Sequence, residues 1–499
     1  MGKLIIIAFT TAALHSAVIK GTVVENQTGH LVARATVTLE AVSGAAAQRR
    51  ATRTNSYGYF EFTALPADSY LLTASRTGFA PAQYGQKHWK SAGLPIEIAQ
   101  DETSTLVIRL PHYGAVTGTV LDENDIGMPE FDVLAYRNTR PPQLAARAKS
   151  DDRGVFRISG LEPGSYVVRS GGKQYDEIGY LPTFARETQV LDQTYPVQVD
   201  MDRDVARADV RPIAGRLFTL RVEAVTFPAF PSEPLPVTMT LVSELGRETV
   251  QGGSHIFGPM PAGFYELFSQ APLERRPGLQ GDYRKIYLGG EDRIRFVLRE
   301  EPELRFSFEG SQVDPVSIQV LVRRKDLAGT GPIEVLKLTN NRAHLASGSW
   351  QLALQPNHGF YAASFRGPGY EAPSDLRADG WNDIQVGRGS PAVTFYLSSR
   401  PCAVHGTVTS AGKPVAGIPV FLEPSDLDPL RRIAETFVAR TGLDGQYRFT
   451  GLAPGNYRLL SSFEYQTADS AIMSTPAARQ IKLEAAADPQ QDLIPYTIP

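Results

Sequence analysis

The chain has 499 residues, of which 50 are basic and 53 acidic, and its 44 glycines and 36 prolines are spread over the whole length. Balanced charge without a basic stripe argues against nucleic acid as a partner. The length suits three to five domains at roughly 100 to 200 residues each. Evenly spread glycine and proline are typical of many short strands joined by tight turns.

The first seventeen residues have the pattern of a secretory signal peptide. Lys3 precedes an apolar run from Leu4 to Leu14, and the small residue Ala17 closes the segment. The run is shorter than the ~20 residues that a bilayer span needs, and no later segment reaches that length. We therefore expect residues 1–17 to be a signal peptide and the protein to be exported to the periplasm, the cell surface or the medium. The alternative is that these residues form the first strand of a folded domain.

Three segments of the chain open alike, which indicates an internal repeat. Residues 19–23 read IKGTV, residues 116–120 read VTGTV and residues 404–408 read VHGTV. The first two glycines are 97 residues apart, and the second and third are 288 apart. A period near 96 therefore predicts two further copies between the second and the third.

A second signature follows each opening. Residues 154–166 read GVFRISGLEPGSY and residues 445–457 read GQYRFTGLAPGNY, while copy one has GYFEFTALPADSY at 58–70. The middle copies keep only its end, at MPAGFY (260–265) and LASGSW (345–350). The closing aromatics of the five copies are Tyr70, Tyr166, Tyr265, Trp350 and Tyr457.

These signatures have a structural interpretation. The apolar side chains of Phe156 and Ile158 alternate with their neighbours, which predicts a half-buried strand. Pro163 and Gly164 then reverse the chain, and Tyr166 begins the next strand. A Gly-x-Tyr at such a corner is similar to the tyrosine corner of Greek-key sandwiches, in which the ring lies in the core and the hydroxyl bonds backbone a few residues upstream. We therefore interpret the five closing aromatics as structural corner residues.

The GTV opening followed by Gly-x-Phe-x-Phe-x-x-Leu-x-Pro-Gly-x-Tyr resembles the carboxypeptidase regulatory-like (transthyretin-like or prealbumin-like) domain family. The resemblance covers copies one, two and five well and copies three and four weakly, and copy one has Ala67-Asp68 where Pro-Gly is expected. It implies a seven-stranded prealbumin-like sandwich, grouped with carbohydrate-binding-like folds. Tandem arrays of such domains occur in exported bacterial proteins.

The predicted fold is all-β, a tandem array of about five antiparallel β-sandwich domains of the prealbumin-like or Ig-like kind. Closing strands are expected at 105–110, 292–298 and 393–397, and a short helical turn at 428–434. The links are short, so neighbouring domains should abut. The predicted segments are a signal peptide at 1–17, sandwiches at 18–112, 113–213, 214–300 (degenerate), 301–400 (degenerate) and 401–486, and a C-terminal tail at 487–499.

No motif predicts catalysis, a metal site or a cofactor. The metallocarboxypeptidases that carry the similar domain use a His-x-x-Glu zinc pair in a separate domain, and none of the eight histidines here has Glu three residues later. No Gly-x-Ser-x-Gly elbow or phosphate-binding loop occurs. The carboxylates of residues 200–204 (DMDRD) favour a solvated linker over a calcium loop, which would need a glycine at its sixth place. Cys402 is expected to be a buried apolar residue.

The best candidate binding segment is the polar loop 79–90, which contains Tyr84 and Trp89. Flat aromatics beside hydrogen-bonding side chains suit the faces of sugars; alternatively, both rings fold back over the end of the sandwich. Matching loops hold further aromatics: Tyr175 and Tyr180 in copy two, Tyr370 and Trp381 in copy four.

Taken together, these features predict a non-enzymatic exported protein with a structural or binding role at the cell envelope, whose partner is a polysaccharide or an envelope protein. Three alternatives stay open. The chain is a pure spacer without a ligand, which predicts an elongated particle, or a set of accessory domains for a peptidase or glycan-processing system. The third is a hydrolase whose site straddles domains, which a cluster of buried carboxylates in a cleft would mark.

Overall fold

The computed structural model describes residues 17–42, 49–175, 178–206, 208–225, 236–272, 278–310, 318–368, 377–387 and 392–498. Almost all regular structure in these residues is β, arranged as five successive two-sheet sandwiches, each with its own apolar core. This confirms the predicted fold class. The predicted signal peptide lies outside the described residues except for Ala17, which is buried at the start of the first strand. No described helix is long and apolar enough to cross a membrane.

Domain 1 shows the architecture that all five domains share. Its strands are β1 (Ala17–Glu25), β2 (Thr36–Ala41), β3 (Arg50–Arg53), β4 (Tyr59–Leu65), β5 (Asp68–Ser75), β6 (Ala82–Gln83), β7 (Ile96–Ile98) and β8 (Thr103–Leu110). One sheet has the order β4-β1-β8, with β4 antiparallel and β8 parallel to β1. The other sheet has the order β3-β2-β5-β6, and β7 also pairs with β5. The alternating side chains of β1 and β8 put one apolar face of the first sheet against the second.

Domains 2 and 3 repeat this plan. Domain 2 has β9 (Gly114–Thr119), β10 (Asp132–Arg137), β11 (Gln143–Lys149), β12 (Val155–Leu161), β13 (Gly164–Ser170), β14 (Lys173–Tyr175), β15 (Ile178–Leu181), β16 (Val197–Val199), β17 (Asp204–Val205) and β18 (Ile213–Ala214). Domain 3 has β19 (Phe218–Val225), β20 (Thr238–Ser243), β21 (Gly246–Gln251), β22 (Ser254–Met260), β23 (Gly263–Pro272), β24 (Leu279–Leu288), β25 (Asp292–Val297) and β26 (Arg299–Glu300).

Domains 4 and 5 complete the array. Domain 4 has β27 (Glu303–Glu309), β28 (Val320–Asp326), β29 (Gly329–Thr330), β30 (Glu334–Leu336), β31 (Arg342–His344), β32 (Gly348–Leu354), β33 (Tyr361–Arg366), β34 (Asn382–Val386) and β35 (Ala392–Ser398). Domain 5 has β36 (Cys402–Thr407), β37 (Thr409–Ser410), β38 (Lys413–Pro414), β39 (Pro419–Pro424), β40 (Phe437–Arg440), β41 (Gln446–Leu452), β42 (Gly455–Ser461) and β43 (Arg479–Leu483).

The few helical pieces within the described residues are short. Two are 3₁₀ turns, at Leu191–Gln193 and Pro429–Arg431, and one is the α-helix α1 (Ser470–Met473). The second 3₁₀ turn lies where the sequence predicted a helical turn, and the Asp428 carboxylate caps it by accepting a hydrogen bond from the Leu430 N–H.

The glycine of each GTV opening is explained by the parallel strand beside it. A Cβ added to Gly21 would lie 2.0 Å from the carbonyl oxygen of Leu106, and one added to Gly406 would lie 1.9 Å from that of Gln491. Gly118 has a similar close approach, to the backbone of Ala208. The motif therefore encodes a tight backbone contact between the first strand of the domain and its parallel partner.

The structure differs from the sequence-based expectation at the C-terminus. Residues 487–499 were predicted to be a tail, but the segment from 487 to 493 pairs in parallel with the opening of domain 5, through bridges His405–Gln490 and Val408–Leu493. Leu493 is buried in the core of that domain. The reason is that β43 pairs with the second sheet, so the first sheet takes its parallel neighbour from the segment that follows. The remaining domain boundaries stay predictions.

The five domains contact one another in a closed arrangement. Domain 1 meets domain 2 around Asp202, domain 2 meets domain 3 around Tyr136 and Leu245, and domains 3 and 4 meet around Arg324. Domain 4 meets domain 5 where Arg377 bonds the Tyr457 hydroxyl. Finally, domain 5 returns to domain 1, since the backbone N–H of Ala92 donates to Phe463. The two ends of the array are therefore in contact.

Candidate functional site

All five predicted corner residues make the same hydrogen bond. Each donates from its side chain to the backbone carbonyl four residues upstream. The acceptors and distances are Pro66 for Tyr70 (2.8 Å), Glu162 for Tyr166 (2.8 Å), Pro261 for Tyr265 (2.8 Å), Ala346 for Trp350 (2.7 Å) and Ala453 for Tyr457 (2.6 Å). The indole N–H of the tryptophan replaces the phenol O–H, which explains why domain 4 keeps the corner without a tyrosine.

The surroundings of these rings suit a structural role. Tyr166 and Tyr457 are buried in the cores of domains 2 and 5, and an arginine guanidinium lies over each ring, Arg137 at 5.3 Å and Arg377 at 5.1 Å. Burial raises the pKa of both phenols above its usual value. Neither phenol loses its proton near neutral pH, so each keeps the hydrogen atom that the corner bond needs.

The predicted binding loop of domain 1 lines a cleft of about 400 Å³. Tyr84 lies partly buried against the core of domain 1, and Trp89 is half-buried with its ring edge-on to Tyr113 at 6.4 Å. The two aromatics therefore partly cover the sandwich and partly line the cleft. Val107 and Arg109 of β8 form its floor.

The opposite wall of the cleft is the junction with domain 2. Asp202 accepts hydrogen bonds from the amide side chain of Asn26 (2.9 Å) and from the backbone N–H of His112 (2.6 Å). His112 in turn stacks on Phe79 at 4.1 Å and bonds the Glu25 carboxylate at 2.9 Å. These contacts fix the second domain against the first, which gives the cleft a rigid wall.

Two of the three carboxylates of the 200–204 segment make contacts within the protein. Asp202 makes the contacts just described, and Asp204 forms a bidentate pair with Arg157 at 2.8 and 3.0 Å. In the part of the chain that the structure describes, no group of three or more His, Cys, Asp or Glu side chains is arranged to hold a metal ion. The segment therefore acts as a hydrogen-bonded joint between domains 1 and 2.

One polar atom of the cleft residues lacks a partner. The indole Nε1 of Trp89 is buried, and no described residue accepts a hydrogen bond from it. An unpaired buried donor costs about 1–3 kcal/mol and calls for an explanation, such as an acceptor supplied by water or a ligand. Nothing in the sequence signals this, since the partner of an indole N–H depends on the tertiary structure.

The far side of the same loop contacts domain 5. Glu464 is buried there and receives the Lys87 ammonium at 2.6 Å and the His88 imidazole at 3.5 Å. The Gln466 N–H donates to the carbonyl of Lys90 at 2.6 Å. Sequence reasoning missed this interface, because its partners are almost 380 positions apart.

The matching loops of other domains are less open. Tyr175 and Tyr180 lie edge-on to each other at 6.1 Å beside Phe131. Trp381 is 1% exposed, lies under the Arg323 guanidinium at 4.2 Å and packs against Ile433 of domain 5. It is therefore an interface residue, whereas Tyr370 lies outside the described residues.

Three carboxylates are buried between domains 3 and 4. Glu266 accepts from the Tyr283 hydroxyl (2.8 Å), Glu301 accepts from Ser347 (2.6 Å) and Asp326 pairs with Arg247 (2.6 Å). Burial raises the pKa of Glu301. The buried guanidinium of Arg324 lies near all three; burial lowers its pKa, although the carboxylates act in the opposite direction. The hydrolase alternative predicts such a cluster, but each of these carboxylates is bonded to a side chain of the protein, and together they balance the charge of Arg324.

One family model and several solved structures are similar to parts of this chain. Residues 18–111 match the family model of the carboxypeptidase regulatory-like domain. Similar solved structures include the minor pilin GBS52 of Streptococcus agalactiae, at 15% identity and TM-score 0.24 over 40% of this chain and 95% of that one. They also include the shaft pilin SpaA of Lactobacillus rhamnosus GG, at 10% identity and TM-score 0.24 over 41% of this chain and 98% of that one.

A third similar structure, the TIE protein of Bacillus anthracis, has 10% identity and TM-score 0.15 over 85% of this chain and 70% of that one. A search of curated protein sequences found no match. The match over 18–111 agrees with the motifs of copy one and with the two-sheet sandwich seen there. Residues 18–111 therefore have the motifs, the two-sheet fold and the family match typical of a carboxypeptidase regulatory-like domain, and they open a tandem array of five β-sandwiches.

Proposed function

We propose that this chain is a non-enzymatic exported binding protein and that the cleft between domains 1 and 2 holds a short polysaccharide segment. The observation that carries the proposal is the cleft itself, in which Tyr84 and Trp89 lie among amide and charged side chains in about 400 Å³. That volume is within the usual range for ligand sites, ~300–1,000 Å³.

The lining suits a hydroxyl-rich ligand with flat faces. The aromatic rings offer stacking surfaces, while Asn26 and Gln86 offer donors and acceptors for hydroxyl groups. The unpaired indole N–H of Trp89 would find an acceptor in a sugar oxygen after a small adjustment of the ring. The signal-peptide pattern of residues 1–17 supports export.

The Trp89 side chain provides the test. Trp89→Ala should weaken binding at the cleft about tenfold, or ~1.4 kcal/mol, because both the stacking surface and the N–H donor are lost. Trp89→Phe keeps a ring and should lose less. The measurement is titration of the full chain with cellohexaose, maltohexaose and mannohexaose, followed by tryptophan fluorescence and by calorimetry.

The chain has three tryptophans. Trp381 is buried and Trp350 lies in domain 4, so the difference in quenching between the native chain and Trp89→Phe reports on Trp89. Tyr195→Ala, which removes an exposed aromatic of domain 2, is the matched control and should bind as the native chain does. No response to any of the three sugars, or calorimetric binding that Trp89→Ala leaves unchanged, would refute the cleft as a sugar site.

The spacer alternative makes a different prediction about shape. An extended spacer should be elongated, whereas the contact between domains 5 and 1 supports a closed body. We expect Glu464→Lys to open that contact, because it removes the carboxylate that Lys87 and His88 contact and places a positive charge beside Lys87 at a buried position. Small-angle scattering should show a larger radius of gyration for this variant.

Glu303→Lys, an exposed change in domain 4, is the control and should leave the scattering curve unchanged. If native chain and Glu464→Lys gave the same elongated profile, the closed body would be excluded and the spacer function favoured.

A further inference from the structure

A second groove lies between domains 3 and 4, on the outer face of the sheet that contains β23 and β24. Three pairs of residues face each other across these strands: Phe264 with Tyr287, Glu266 with Lys285, and Phe268 with Tyr283. Successive pairs on one face are two residues apart along each strand, so neighbouring pairs are about 7 Å from each other.

Domain 4 closes one end of this face. The Arg324 guanidinium lies 3.9 Å from the centre of the Phe268 ring and 5.6 Å from that of Tyr283, and it donates to the Ser347 carbonyl at 3.0 Å. The pair of Phe268 and Tyr283 is therefore covered by domain 4.

At the other end the face is open. Phe264 is 73% exposed and Tyr287 is 61% exposed, with their rings edge-on at 5.1 Å. The two domains thus form a wedge that is closed at Arg324 and open at the aromatic pair. Two adjacent exposed rings of this size are unusual on a soluble surface that is otherwise polar.

The middle of the wedge is a cavity of about 410 Å³. Glu266 and Lys285 of domain 3 lie on one side, and Lys325, Ser349, Asp383 and Gln385 of domain 4 lie on the other. We call the aromatic pair Phe264–Tyr287 and these six residues the domain 3–4 groove.

The charges of the groove are paired with one another. The Lys285 ammonium lies 3.5 Å from Glu266, and that of Lys325 lies 3.1 Å from Asp383. Asp326, at the base, is held by Arg247. A polyanion or a polycation would meet a like charge at each of these pairs, which disfavours binding. An uncharged, hydroxyl-rich chain meets donors, acceptors and two aromatic rings.

We propose that the domain 3–4 groove binds an uncharged polysaccharide chain, with Phe264 and Tyr287 as its stacking platform. This site is separate from the cleft between domains 1 and 2 and does not depend on it. Both aromatics are exposed, so their removal should leave the fold intact.

The experiment uses the full chain carrying Trp89→Ala, so that the contribution of the first cleft is reduced about tenfold. Native gels are cast with hydroxyethylcellulose, dextran or yeast mannan as neutral probes, and with alginate as a polyanion. We expect retardation by at least one neutral probe, a tenfold or greater loss of retardation in Phe264→Ala/Tyr287→Ala, and no loss in the control Tyr57→Ala, which removes a tyrosine that is 72% exposed in domain 1.

Four results would overturn the proposal: no retardation by any neutral probe, retardation by alginate alone, equal retardation with and without the aromatic pair, or a dimer in sedimentation that the double variant abolishes. The last would mark the pair as a contact between two copies of the chain.

Gln385→Ala, which keeps the aromatic pair, should weaken retardation about threefold by removing hydrogen bonds from the opposite wall.

Discussion

Tyr166→Ala is expected to destabilise domain 2 by ~3 kcal/mol or more. Removing a fully buried aromatic leaves a cavity in addition to the lost apolar burial, and here it also leaves the Glu162 carbonyl without its corner bond. Because a five-domain chain need not unfold in one step, the measurement is hydrogen exchange of the β12 and β13 amides, compared with amides of the other domains.

Two variants sharpen this test. Tyr166→Phe keeps the ring and loses only the hydroxyl, so it should cost about 1 kcal/mol. Tyr195→Ala removes a tyrosine of the same domain that is 62% exposed and should change exchange little. Equal protection of β12 and β13 in Tyr166→Ala and the native chain would show that the corner is not an anchor of the domain.

Glu423→Ala should destabilise domain 5 by about 3–5 kcal/mol. Its carboxylate is fully buried and accepts hydrogen bonds from Arg432, whose side chain is 4% exposed, and from Arg458 at 3.0 Å. Removing it leaves a buried guanidinium without its counter-charge, which costs far more than losing a surface pair. Urea unfolding followed by exchange of the β39 and β42 amides measures the loss.

The paired variant Glu423→Leu/Arg432→Met removes both charges and should recover most of that loss. Glu303→Ala, which breaks the exposed pair with Arg342, should cost at most about 1 kcal/mol. If Glu423→Ala proved as mild as Glu303→Ala, the buried network would contribute little to the stability of domain 5.

The local elements of this fold could be predicted from the sequence. The alternation at 155–158, the Pro-Gly reversal and the aromatic at 166 depend on neighbours within a dozen residues, and the structure shows β12, the turn and β13 there. The same holds for the closing strands β8, β25 and β35, which lie where the sequence predicted them. Copies three and four lack most of the motif residues but still form two-sheet sandwiches with their own cores, because their strands keep the alternation of apolar and polar side chains.

The parts that could not be predicted are contacts between distant residues. The strand role of residues 490–493 depends on an open sheet edge some 85 positions earlier. Likewise Trp381 looked like a loop aromatic, but a neighbouring domain covers it. No pattern in the neighbouring sequence indicates which surface of a domain another domain will cover.

By itself, the sequence determined the repeat, the all-β class, the corner aromatics and the loop with Tyr84 and Trp89, because turn chemistry and period-two burial act over short distances. The tertiary structure decided that domain 5 returns to domain 1, that Asp202 lines a cleft beside Trp89, and that Glu266 and Lys285, the pair next to Phe264 and Tyr287, line a groove. These features arise where folded domains pack against each other, and complementarity between such surfaces is set by side chains hundreds of positions apart.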